Sequence, residues 1–223
     1  MNFGFRLYFI LCIAVFSSVP VKGQDEKQSP LPDKQMVAWL DSMPYFFGAY
    51  YRGDSICQPV WQHGRGKQGL VVITRDSLLS FKARFLAAEI LFENDSLYPS
   101  DTDRVMLGKL YAAALKGGNA GDADDWGMPF GGEDEFGYIG PHVIRIGKAA
   151  VLPFASLLKD KTPMKYMING KFTDTRYKYG IRVNDFAAFY ISHIMGWHYR
   201  CLRSRFLRDF RIRHIERKVK RIH

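Results

Sequence analysis

An acidic, glycine-rich segment carries a pattern of residues suited to calcium. It reads DADDWGMPFGGE over residues 122–133. Asp122, Asp124 and Glu133 match the calcium-loop template D-x-D-x-D-G-x5-E, although Trp126 replaces its third acid. Because Ca²⁺ prefers carboxylate oxygens, the spacing predicts a calcium site, and calcium is the one cofactor that the sequence suggests. The alternative is a solvated loop anchored by Trp126 and Phe130.

The C-terminal segment 200–223 is the second candidate. It holds ten Lys and Arg residues against Asp209 and Glu216, whereas residues 24–199 carry equal numbers of basic and acidic side chains. Its apolar residues recur every three to five positions, which predicts a basic amphipathic helix. Such a helix either lies on an anionic surface or docks its apolar stripe on the domain. The cations expected to contact a surface are Arg203, Arg205, Arg208, Arg211, Arg213, Arg217, Lys218, Lys220 and Arg221.

Common catalytic motifs do not occur in the sequence. The histidines form no HExxH pattern, and neither GxSxG nor GxxxxGK[ST] is found. The aromatic segment 45–63, which ends in His63, could stack a flat ligand such as a sugar ring, but clusters of this kind more often fill a core. The sequence therefore favours a non-enzymatic protein. The alternative is an envelope hydrolase with a site near residues 45–63.

The N-terminus has the features of a cleavable export signal. A short basic region precedes a ten-residue apolar run, Leu7–Phe16, and small residues follow as far as Gly23. The run is about half of the roughly 20 residues that a membrane-spanning helix needs. We expect cleavage after Gly23, a secreted or periplasmic protein, and no transmembrane span in the mature chain. Cys57 and Cys201 would then lie in an oxidising compartment, either paired or as separate thiols.

Composition narrows the class of protein and of partner. With 47% hydrophobic and 24% charged residues, the chain is apolar enough to fold and too polar for a multi-span membrane protein. Residues 24–32 are a polar leader, for which we expect disorder. The net charge of +10 divides into +8 on the C-terminal segment and +2 on residues 1–23. A protein or an anionic envelope surface is the expected partner, and nucleic acid is a poorer one outside the cytoplasm. The oligomeric state stays open.

Helical periodicity dominates residues 33–199, for which we expect a single helical domain. Helices are predicted over 33–43, over 74–95 with Thr74 or Asp76 as the cap, and over 100–117 after Ser100. Two short helices hinged at Gly147 are predicted over 141–160, and another helix over 184–196 is capped by Asn184. Asn169-Gly170 predicts a β-hairpin turn within 161–183.

Two of these segments carry a family resemblance. IGKAAVLPFASLLKD, followed by RVNDFAAFYISHIMG, resembles a HEAT-like helical repeat. The matching residues are Gly147, Ala150, Val151, Leu157, Leu158 and Asp160 in the first half, and Ala187 and Ala188 in the second. The chain also resembles uncharacterised secreted bacterial proteins with a DWGMPFG-type loop.

The resemblance implies a mainly α fold of HEAT-like stacked helical pairs, with one small β-hairpin insertion and a basic C-terminal helix. It implies no chemistry, because a fold does not determine a function. We therefore expect an exported, non-enzymatic helical scaffold that binds a protein or a cell-envelope component.

Overall fold

A computed structural model describes residues 34–43, 57–62, 66–117, 123–127, 136–164, 166–168, 171–173 and 180–222. The described residues are mainly helical, as predicted. The helices are α1 Lys34–Ser42, α2 Cys57–Gln62, α3 Gly66–Arg75, α4 Phe81–Asn94, α5 Asp101–Gly117, α6 Ala123–Trp126, α7 Gly140–Ile146, α8 Val151–Ala155, α9 Val183–Met195 and α10 Arg205–Ile222. A 3-10 turn, Gly147–Ala150, joins α7 to α8. Strands β1 Tyr166–Ile168 and β2 Lys171–Thr173 pair antiparallel, with Tyr166 opposite Thr173.

Two helices begin at residues other than those predicted. The cap of α4 is Ser80, whose Oγ accepts a hydrogen bond from the amide of Ala83 at 3.0 Å. Thr74 belongs instead to the last turn of α3, where its hydroxyl donates to the carbonyl of Leu70. The cap of α9 is Arg182, whose amide donates to Asp185 at 3.0 Å, so the predicted cap Asn184 lies inside the helix. A side chain other than the predicted one accepts the bond from a free amide at each start, Ser80 from Ala83 in α4 and Asp185 from Arg182 in α9.

The helices pack mainly on their neighbours in chain order. Helices α1, α2 and α3 contact α4, which in turn contacts α5. Helix α5 packs on α7, the 3-10 turn and α8, and α9 packs on α7 and α8. Helix α10 covers α8 and α9. One hydrophobic core runs through these layers, and Trp126, Tyr111, Tyr190 and Phe85 are among its largest fully buried side chains.

The approach of α5 to the 3-10 turn depends on Gly108. A Cβ at this position would lie 2.8 Å from the carbonyl oxygen of Ala149 and 3.0 Å from the Cα of Ala150. The turn itself starts at Gly147, whose φ of 71° suits a residue without a side chain. The predicted hinge at Gly147 between two short helices is therefore confirmed.

Cationic side chains join the layers by binding the carboxyl ends of neighbouring helices. Arg145 on α7 donates to the carbonyls of Phe92, in the last turn of α4, and of Asp95, just beyond it, each at 2.9 Å. Arg104 on α5 donates to the carbonyl of Ile146 at 3.1 Å, at the end of α7. Arg84 on α4 does the same for Thr74 at 3.2 Å. Each cation satisfies carbonyls that have no partner within their own helix and lies at the negative end of the helix dipole.

No helix in the described ranges combines the length and the apolar character needed to cross a bilayer.

Candidate functional site

The predicted calcium ligands fall largely outside the described residues. Asp122 and Glu133 lie in undescribed segments, and of Asp124 only the backbone in α6 is described. Trp126, at the end of α6, is buried, and its carbonyl accepts a hydrogen bond from the hydroxyl of Tyr190. Within the described ranges, no cluster of three His, Cys, Asp or Glu side chains is placed to hold a metal ion. Calcium binding at 122–133 stays a prediction.

The aromatic segment is described only in part. Residues 44–56 and 63–65, including His63, lie outside the described ranges. In α2, Val60 is fully buried and Trp61 packs partly buried against the core. These two side chains fill the core, whereas a hydrolase site near 45–63 stays a prediction.

Helix α10 has two opposite faces. Its buried residues recur at intervals of four, three and four, so they form one line along the helix, which we name the inward stripe: Arg208, Ile212, Ile215 and Val219. The opposite side carries a line of exposed residues, which we name the outward stripe: Phe206, Phe210, Arg213, Arg217 and Arg221. The inward stripe packs on α8 and α9, so the C-terminal segment is docked on the domain.

Arg208 is not a surface cation, and its prediction as a surface-binding residue is wrong. Its side chain is fully buried, and its Nε lies 3.0 Å from Oδ1 of Asp185, which is also fully buried. Its Nη1 donates to the carbonyl of Leu202 at 2.7 Å, and its Nη2 donates to that of Gly180 at 3.0 Å. A buried carboxylate requires a counter-ion, and this arginine supplies one from α10 to α9.

A second ion pair holds the start of α10. Asp209 Oδ1 lies 2.7 Å from Nη2 of Arg182, and Oδ2 lies 3.2 Å from Nζ of Lys161. Burial alone would raise the pKa of Asp209, but hydrogen bonds from Arg182 and Lys161 hold it below its usual value. One of the two acids of the C-terminal segment is thus used for docking.

The cations of α10 divide into those held by the protein and those that face away from it. Lys218 Nζ lies 5.1 Å from the centre of the Trp197 ring, and Arg211 donates to the carbonyl of Arg200 at 3.1 Å. Lys220 pairs with Glu216 at 3.0 Å. Arg203 and Arg205 are exposed near the start of the helix.

The arginines of the outward stripe are not held by acidic side chains. In the described part of the chain, Arg213, Arg217 and Arg221 have no acidic partner within ion-pair distance. Their charge is therefore directed to solvent over the last half of α10.

The amino end of the outward stripe is apolar. Phe206 is 73% exposed and Phe210 is 55% exposed, and Leu207 beside them is half exposed. One helical turn separates the two phenylalanines. The outward stripe thus combines two aromatic rings with three arginines, an arrangement suited to a surface that is both anionic and apolar.

A buried charge network connects α4, α5 and α7, and no sequence motif points to it. His142 Nδ1 lies 2.9 Å from Oε1 of Glu89, and its Nε2 lies 3.3 Å from Oε1 of Glu93. The hydroxyl of Tyr111 donates to the same oxygen of Glu89. Burial alone would lower the pKa of His142, but the charge of Glu89 and hydrogen bonds to both glutamates raise it to about 9. A protonated ring bonded at both nitrogens has no lone pair, so His142 in this arrangement joins helices and does not itself accept a proton.

Cys201 is a free, buried thiol. Burial and the nearby charge of Asp185 raise its pKa to about 12. Of the two alternatives for the cysteines, the structure has Cys201 unpaired, while the side chain of Cys57 lies outside the described set.

Comparison with protein-family models, with curated proteins and with solved structures finds no match to this chain.

Proposed function

We propose that this protein is an exported, non-enzymatic helical scaffold that attaches to an anionic surface of the cell envelope through the outward stripe of α10. The observation that carries the proposal is the division of α10 into a docked face and a cationic face. The buried inward stripe holds α10 on the domain, so the outward arginines are not needed to keep the helix in place. Residues 24–199 are neutral overall, which leaves the positive field concentrated on one helix.

The scaffold part of the proposal is a HEAT-like stack of helical pairs. Its support is the packing order, in which most helices contact those next to them in the chain, as in solenoid repeats. In such a stack the exposed surface binds the partner, and the hydrophobic core stabilises the fold. Secretion or a periplasmic location belongs to the same proposal, and the N-terminal residues 1–23 support it by their composition.

Binding to two anionic probes tests the proposal. The protein should be retained on heparin-agarose, and should sediment with vesicles of equal parts phosphatidylglycerol and phosphatidylcholine, in about 50 mM NaCl. Both interactions should weaken as salt rises, because exposed charges are screened over about 8 Å at physiological ionic strength. Replacing Arg213, Arg217 and Arg221 by Gln should weaken vesicle binding roughly 100-fold, at about 1 kcal/mol for each charge.

A matched control removes three positive charges elsewhere. Lys109, Lys116 and Lys148 are exposed on α5 and on the 3-10 turn. Their replacement by Gln lowers the net charge equally but should change binding far less, because these lysines lie outside α10. The proposal fails if the native protein binds neither probe, or if the two triple variants lose binding equally.

A further inference from the structure

The amino end of the outward stripe bears on which kind of anionic surface α10 would bind. Phe206 and Phe210 lie one turn apart, about 6 Å along the helix axis. They are 73% and 55% exposed, and the half-exposed Leu207 extends the apolar area. The arginines at 213, 217 and 221 follow on the same line of the helix.

Exposed phenylalanines are not required by the docking of α10. The helix is held by three apolar side chains of the inward stripe, by the buried pair of Arg208 and Asp185, and by the ion pairs of Asp209. The rings therefore remain available on a face that the described residues leave exposed.

We propose that Phe206 and Phe210 enter the interfacial region of an anionic lipid bilayer while the arginines contact its headgroups. This inference rests on the proposed function and names its partner. A bilayer offers anionic phosphates and an apolar layer directly beneath them, which matches both halves of the stripe. A soluble polyanion would pair with the arginines but would leave both rings in water, at a cost in apolar exposure.

The two parts of the stripe then have different roles. The arginines attract the protein to the surface, and this attraction falls with salt. The rings add a contribution that salt does not screen, since apolar burial does not depend on charge. Because the rings lie at the amino end of α10, that end would enter the interface more deeply than the end at Arg221.

A double substitution, Phe206→Ser with Phe210→Ser, tests the inference. It should weaken sedimentation with the phosphatidylglycerol vesicles by about tenfold for each ring, and leave retention on heparin-agarose unchanged. Both positions are exposed, so the variant should melt at the native temperature. The matched control replaces Leu78 and Leu97 by Ser, at exposed positions far from α10 in sequence, and should change neither interaction.

Several outcomes would overturn the inference. Equal vesicle binding by the native protein and the phenylalanine variant would show that the rings stay in water. Retention on heparin without vesicle binding would identify a soluble polyanion as the partner and leave the proposed function standing. A light-scattering mass that falls from dimer to monomer in the variant would show that the rings contact a second copy of the chain. Binding to neither probe would remove the proposed function as well.

Discussion

His142 keeps its charge inside the core because acceptors lie at both of its ring nitrogens. Glu89 is fully buried beside it, while Glu93 remains half exposed. The ring also stacks on Phe92, with centroids 4.6 Å apart and planes 9° apart. The guanidinium of Arg145 lies over the same phenyl ring at 5.2 Å. A neutral imidazole could donate to only one of the two carboxylates, so the charged ring stabilises the contact between α4 and α7.

The pKa of His142 predicts how stability depends on pH. Its folded-state value of about 9 lies above the ordinary value of 6.5, so the native state binds this proton more tightly than the unfolded chain does. The resulting stabilisation is complete below about pH 6.5 and is lost as the pH rises through 9. We therefore expect the melting temperature of the native protein to fall between about pH 7 and pH 10, as measured by circular dichroism.

Two variants separate this histidine from other titrating groups. Glu93→Gln removes one negative charge beside His142 at a half-exposed position, so the protein should still fold and the loss of stability should move to lower pH. His198→Gln alters an exposed histidine and should leave the pH profile unchanged. A profile that is the same in native protein and Glu93→Gln would contradict the assignment.

The buried partners of His142 and Arg208 could not be predicted from the sequence around either residue. Glu89 and His142 are 53 positions apart, and nothing local to either residue points to the other. The basic composition of the C-terminal segment predicts Arg208 at the surface, yet the structure buries it against Asp185. Both cases depend on a partner that only the tertiary fold brings near.

At the level of the helices, apolar spacing predicts elements better than glycine content does. The predicted bounds of α5 agree with the structure to within one residue, since Ser100 and Gly117 mark its ends. No helix is predicted at α3, where glycines at 64, 66 and 69 are typical of a loop. Leu70 and Ile73 are nevertheless buried there and α3 packs on α4, so tertiary packing outweighs the low helix propensity of glycine.

The packing of α5 on the 3-10 turn predicts an unusual effect of Gly108→Ala. This change in a helix interior ordinarily stabilises a protein by about 1 kcal/mol. Here the new Cβ would lie 2.8 Å from the carbonyl oxygen of Ala149, and the atoms that must move belong to the backbone. We expect the free energy of unfolding in urea to fall by about 1–3 kcal/mol.

Lys109→Ala is the control for this effect. Lys109 is the next residue of α5 and is exposed, so its replacement should leave the unfolding free energy nearly unchanged. A Gly108→Ala variant more stable than the native protein would show that α5 and the turn can separate without cost.

At the scale of the whole molecule, the C-terminal segment belongs to the fold. The sequence predicts a domain over 33–199 followed by a basic tail, because charge composition changes at residue 200. In the structure, helices α1 to α10 belong to one compact unit, and α10 covers α8 and α9. Charge composition reveals the outward stripe of α10 but gives no information on the inward stripe and Asp209, which dock the helix.

Truncation after Ser204 should therefore destabilise the protein as a whole. The shortened chain would lose Ile212, Ile215 and Val219 from the core and would leave Asp185 with Arg182 but without Arg208. We expect the melting temperature to fall by roughly 10 °C or more.

Arg208→Met should reproduce part of the fall, because it leaves a buried carboxylate with one counter-ion fewer. Arg217→Met removes the same charge from the outward stripe and should leave the melting temperature unchanged. A truncated chain that melts at the full-length temperature would instead show that α10 is a separable tail, bound to the domain too weakly to stabilise it.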